Sequence, residues 1–192
     1  MNHGFQYQRL ILAYHGCDKA VADEVLIKGS PLKSSQKSYD WLGNGIYFWE
    51  HGPERALEWA QARKSVKNPT VVGAIIHLGN CFDLLDRKAT KLLSEVYPDF
   101  RNVMRGLGQE VPKNESLNPD DRDFLLRRLD CSVLNWALDS LDQNQGNSSY
   151  DSVRGLFQED EPAFEGSAIK LKSHIQIAVR NPSCILGYFR PS

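Results

Sequence analysis

Strand-length apolar runs stand near both ends of this chain, and apolar residues at helical spacing fill its middle. Leu10 to Tyr14 is a short apolar run that stops at His15-Gly16, and Val71 to Leu78 is rich in β-branched residues. Ser173 to Val179 alternates, with Ile175, Ile177 and Val179 on one face and His174, Gln176 and Ala178 on the other. Side chains of a strand repeat with period two, so such runs bury one face. Between them, Lys88 to Met104 carries Leu92, Leu93, Val96, Phe100 and Val103 at near-helical intervals. Asn118-Pro119-Asp120-Asp121 then opens a second helical pattern from Phe124 to Leu141, its acidic start complementing the helix dipole. Strands at both ends with helices between them indicate an α+β fold, with residues 87–142 as a helical insertion or cap on a β core.

Shorter signals fill in the rest. Asp18 to Lys28 reads as a helix capped by Asp18 and ended by Gly29. Ser30 to Asp40 reads as a polar loop. Gly45 to Trp49 reads as a brief strand behind the Gly43-Asn44-Gly45 turn, and Pro53 to Val66 as a helix with Pro53 in its first turn. Cys81 to Leu85 and Val153 to Phe157 read as short strands, Gln143 to Tyr150 as a linker, Gln158 to Lys172 as an acidic loop, and Cys184 to Phe189 as an edge strand.

A length of 192 residues with 41% hydrophobic and 24% charged residues suits one globular domain spanning 1–192. The net charge of −1 is unlike that of a protein holding DNA by phosphate neutralisation alone. Cys17, Cys81, Cys131 and Cys184 have neither CxxC spacing nor a histidine cluster, which points to free thiols in a reducing cytoplasm and to no metal site. No apolar run is long enough to span a membrane, and the Met-Asn-His-Gly start lacks a secretory pattern, so the expectation is a cytoplasmic protein with no membrane partner.

Three segments carry the chemistry: Tyr14-His15-Gly16, Leu42-Gly43-Asn44-Gly45-Ile46-Tyr47-Phe48, and Ser173 to Val179. Gly-Asn-Gly lacks the third glycine of the dinucleotide fingerprint. The imidazole of His15 can hydrogen-bond a sugar hydroxyl, and the ring of Tyr47 can stack on a heteroaromatic ligand.

In this order, with Ala56 and Trp59 in the helix that follows, the segments resemble the diphtheria-toxin and poly-ADP-ribose-polymerase branch of the ADP-ribosyltransferases. The resemblance covers residues 10–80 closely and 150–185 more loosely. It implies a split mixed or antiparallel β core, and NAD as substrate with no metal. His15 and Tyr47 correspond to the first two members of the family's His, Tyr, Glu trio. The resemblance implies that Gly16 lets backbone approach the nicotinamide amide, and that Trp59 or Tyr39 adds a second aromatic surface. Lys33 or Lys37 would meet the diphosphate. The family's glutamate is replaced: the site face of the last strand offers Gln176, with His174 beside it.

Gln176 has no charge and cannot act as a base, which disfavours polymer synthesis and leaves single transfer open. A carboxylate can come instead from Glu159, Glu161 or Glu165 in the acidic loop, which in this family contacts the target. Arg154 is a candidate anchor for that loop or for a phosphate, while Arg127-Arg128 reads as helix surface. The leading expectation is therefore a mono-ADP-ribosyltransferase acting on protein or nucleic acid, RNA included. It resembles bacterial toxin–antitoxin or phage-defence effectors, a resemblance that makes an antitoxin protein a candidate partner. The alternatives are an NAD glycohydrolase, a non-catalytic NAD or ADP-ribose-binding module, and an RNA 2′-phosphotransferase, which usually has more basic residues around its site.

Overall fold

The computed structural model describes residues 9–116, 123–144 and 149–192. In chain order these form β1 (Leu10–Asp18), α1 (Lys19–Lys28), β2 (Ile46–Glu50), α2 (Pro53–Gln61), β3 (Pro69–His77), β4 (Cys81–Asp83) and α3 (Arg87–Gly106). There follow β5 (Asn114–Glu115), β6 (Leu126–Arg127), α4 (Arg128–Asn144), β7 (Ser152–Pro162), β8 (Lys170–Val179) and β9 (Ile185–Phe189). Seven strands make one sheet in the order β4-β7-β8-β2-β1-β3-β9, and β5 pairs with β6. Every neighbouring pair of the large sheet is antiparallel except β4 with β7. The fold is α+β, with α3 and α4 lying in sequence between β4 and β7.

Each face of the sheet buries its own cluster. Ile11, Ala13, Phe48, Val72, Ile177 and Val179 pack with Ala22 and Val25 of α1. On the opposite face Phe82, Val153, Phe157 and Ala178 pack with Leu134 and Leu138 of α4, and with Leu92 and Leu93 of α3. Most of the stripe of the helical middle is therefore core on the β4-β7-β8 side of the sheet, while Val103 and Phe124 are exposed.

Local chemistry sets the ends of several elements. The Asp18 carboxylate accepts from Ala20 N–H and caps α1, while Gly29 ends it in the left-handed conformation. The start of α4 differs from the sequence expectation. Phe124 and Leu125 lie outside any helix, and α4 begins at Arg128, where Oδ1 of Asn114 accepts from Leu129 N–H at 3.0 Å and Asp130 N–H at 3.2 Å. The cap comes from β5, which no local signal discloses. The expected acidic opening at Asn118-Pro119-Asp120-Asp121, most of the expected linker after Gln143, and the N-terminal Met-Asn-His-Gly lie outside the described residues.

Two further boundaries move. α2 stops at Gln61, short of Val66. The acidic loop is in part strand, because Gln158 and Glu159 of β7 pair with Ser173 and Lys172 of β8. Opposite charges directly across a ladder favour that pairing.

Gly16 is needed where α2 crosses β1. A Cβ on Gly16 would lie 1.9 Å from the Ala56 carbonyl oxygen and 3.3 Å from the Ala60 Cβ. Gly16→Ala is expected to cost about 1–3 kcal/mol or more through overpacking, read by denaturant unfolding. A loss of only a few tenths would mean that α2 can move aside freely.

Candidate functional site

β1 and β2 pair only at Ala13↔Glu50 and Tyr14↔Trp49, while β1 stays paired with β3 as far as Asp18↔Pro69. Where the two strands part, Nδ1 of His15 lies 2.7 Å from the Tyr47 carbonyl oxygen. A carbonyl can only accept, so Nδ1 carries the proton and donates. Burial holds the His15 pKa below its ordinary value, which keeps the ring neutral and leaves Nε2 as an acceptor.

This parting opens a cleft of about 590 Å³. His15, Tyr47 and Gln176 line it, reaching it from β1, β2 and β8, together with Tyr39 and Trp59. The register explains the convergence. Trp49 lies opposite Gln176 and Tyr47 opposite Ala178, so β2 and β8 present these side chains on one face. Gly155 is the β7 partner of Gln176, and Phe157 and Glu159 follow on that same face.

The hydroxyl of Tyr47 is committed within the protein. It donates to the Gly43 carbonyl at 2.6 Å and accepts from Leu42 N–H at 2.8 Å, tying down the Gly43-Asn44-Gly45 turn. Burial raises its pKa well above the phenol range. What Tyr47 offers a ligand is its ring. Trp49 and Trp59 extend the aromatic wall, with centroids 5.6 Å apart and the Arg63 guanidinium 4.1 Å over Trp59.

Charge around the cleft is mixed. Lys33, Lys37, Arg55, Arg63 and Lys172 face Asp40, Glu58 and Glu159. Arg55 Nη2 holds Glu159 Oε1 at 3.1 Å. Burial nevertheless keeps the Glu159 pKa above the usual carboxylate value, against the opposing pull of Arg55. Among the described residues, Trp49 Nε1, Arg55 Nε and Arg63 Nε are buried without a hydrogen-bond partner, and all belong to side chains lining this cleft. An unpaired buried donor costs about 1–3 kcal/mol, so the cleft favours an acceptor-rich ligand.

Other candidates fall elsewhere. Gly16 does not line the cleft, and the space beside it is filled by α2, so helix packing accounts for its missing side chain. Arg154 is not a target-loop anchor. It points to the sheet face opposite Gln176, buried between Glu50, at 2.6 and 3.1 Å, and Asp83, at 3.0 Å. Glu161 and Glu165 are exposed and do not line the cleft, which leaves Glu159 as its acidic-segment carboxylate. Arg127 is not plain helix surface: its guanidinium lies 4.3 Å over Trp41 and 4.8 Å over Phe157. Cys17 is buried, and burial raises its pKa to about 11, so it is a packing thiol.

Sequence reasoning passed over Trp49, Arg55, Arg63 and Lys172. Arg55 and Trp59 carried a usable signal, since they stand at i and i+4 on one stripe of α2, and Arg63 follows two residues past its end. Trp49 stands two residues after Tyr47 and so shares its face.

Burial pulls His174 down to about 4 from 6.5. Between those values the unfolded chain binds a proton that the folded chain refuses. Stability is expected to fall as pH drops from about 6.5 to about 4, with His15 acting in the same direction. Urea midpoints measured across that window check this, and His174→Gln is expected to flatten the fall.

No family model matches the chain. Over 203 aligned residues it is 26% identical to the uncharacterized protein MJ0359 of Methanocaldococcus jannaschii, covering 93% of this chain and 86% of that protein. Among the described residues no His, Cys, Asp and Glu cluster could hold a metal ion, and no helix is long and apolar enough to cross a membrane.

Proposed function

We propose that the chain is a mono-ADP-ribosyltransferase that binds NAD in this cleft and transfers ADP-ribose to a macromolecular acceptor. The observation that carries the reading is the meeting of His15, Tyr47 and Gln176, from three strands, in one aromatic-walled cleft with cations at its edge. Its size falls within the range of small-molecule sites. The Tyr47 ring stacks on nicotinamide, with Trp59 and Tyr39 as further aromatic surface. Neutral His15 accepts from a ribose hydroxyl through Nε2. Arg55 and Arg63, with Lys33 and Lys37 of the loop at 30–40, meet the diphosphate.

In the reaction the bond between ribose C1′ and the nicotinamide nitrogen breaks, and its electron pair leaves with nicotinamide. A nucleophilic atom of the acceptor then bonds to C1′ and gives up its proton. The ribosyl group passes through an oxocarbenium-like state, which a nearby negative charge stabilises. Gln176 cannot supply that charge, and Glu159 does.

The test is incubation with NAD labelled in its ADP-ribose part, with separate protein, RNA and DNA pools. Label in one pool, with nicotinamide released, is the expected result. Free ADP-ribose alone would favour a glycohydrolase, NAD bound but unconsumed would favour a binding module, and NAD neither bound nor consumed would reject the reading altogether.

A further inference from the structure

His174 is buried beside the cleft between aromatic rings, stacked on Trp41 at 6.4 Å and tilted against Phe157 at 6.1 Å. Both its nitrogens are engaged. Nδ1 lies 3.0 Å from the Lys172 carbonyl oxygen, and Nε2 lies 2.9 Å from Gln176 Nε2. The first contact fixes the second. The Lys172 oxygen can only accept, so Nδ1 carries hydrogen. In a neutral ring Nε2 is then a bare acceptor, and Gln176 must turn its NH2 toward it. That leaves Gln176 Oε1, which accepts no hydrogen bond from the described residues, as the polar atom available to the cleft.

We propose that His174 is a positioning residue that locks the Gln176 amide with its carbonyl oxygen available to the ligand. This rests on the reading of the cleft as the reaction site. A carbonyl oxygen is an acceptor without charge, so Gln176 binds a hydroxyl, of ribose or of the acceptor, and cannot pair with a cation as a carboxylate would. The other charged groups around His174 come from β7, β8, α2 and β6. They are Glu159, 3.5 Å from Nε2, then Lys172, Arg55, Glu58 and Arg127. Glu159 is held by Arg55, and the fields of Arg55 and Arg127 oppose a charge on His174, so the neutral ring persists.

Gln176→Glu reverses the arrangement. With Nδ1–H still held by Lys172, a carboxylate at Nε2 demands a second N–H, and His174 becomes an imidazolium.

The experiment is ¹⁵N NMR of histidine side chains in the full-length chain, which needs no enzymatic activity. The wild type is expected to show His174 as the Nδ1–H tautomer at neutral pH, titrating near 4. In Gln176→Glu the titration is expected to move up by about one to three units. An Nε2–H tautomer in the wild type, or an unmoved titration in a folded Gln176→Glu protein, overturns the proposal. The tautomer decides alone if that variant does not fold. His174→Ala is then expected to lower kcat for NAD consumption more than it raises KM, and an unchanged kcat overturns the proposal as well. Confirmed NMR signatures in a protein that leaves NAD intact would reject the functional reading and keep the amide orientation.

Discussion

Arg154→Met is expected to remove about 3–5 kcal/mol of folding stability. Arg154 is 7% exposed, and its guanidinium meets Glu50 through Nε and Nη2 and Asp83 through Nη1. Its removal leaves two carboxylates without their countercharge, one of them the buried Asp83. The attraction lost is only part of the effect, since the greater cost is anion desolvation that nothing then offsets. Adding Glu50→Leu to Arg154→Met is therefore expected to recover part of the loss. Denaturant melts of the single and double variants measure both effects, and a single-variant loss below about 1 kcal/mol would mean that water already reaches the group.

Glu159→Gln is expected to lower the turnover of NAD by about 10²–10³-fold, with its affinity changed far less. Glu159 shares a sheet face with Gln176, lines the cleft and is tethered by Arg55. The substitution keeps the shape and removes the charge that the proposed reaction needs beside the developing ribosyl cation. Glu161→Gln and Glu165→Gln serve as controls, because both residues are exposed and away from the cleft. Equal losses in all three variants would count against a charge acting at the reacting carbon and point to a general field effect. Single-turnover assays with saturating NAD separate the chemical step from binding.

Much of this was legible in the chain because it is local. Asp18 and Gly29 bound α1 as their types require, and the alternation from Ser173 to Val179 put Gln176 on the cleft face. Tyr47 stood out because it follows the Gly43-Asn44-Gly45 turn, and His15 because it stands beside Gly16, although the strand runs on through Gly16 to Asp18 where the sequence suggests a turn. What was hidden depends on partners far away in sequence. Arg154 meets Glu50 across 104 residues, and Arg55 meets Glu159 across the same separation. Neither pair leaves a local pattern. Arg154 therefore read as a free cation near an acidic loop, although the ladder makes it a buried hub. Glu159 read as one of three equivalent loop acids, although pairing with Lys172 carries it onto the floor of the cleft. Gly16 was read as letting backbone approach a ligand, whereas the group packed where its side chain would stand is the Ala56 carbonyl of α2, a partner 40 residues away.

The early parting of β1 and β2 has a mechanical consequence. In backbone pairing, the β4-β7-β8-β2 half of the sheet and the β1-β3-β9 half join through Ala13↔Glu50, Tyr14↔Trp49 and the His51 N–H to Leu12 carbonyl bond. That seam is a narrow waist. Torsion between the halves concentrates there, with His15 one residue beyond it on β1 and Trp49 within it on β2. Glu50 belongs to the same waist and is braced by Arg154. The ion cluster on one face of the sheet thus stiffens the joint that sets how wide the opposite face gapes.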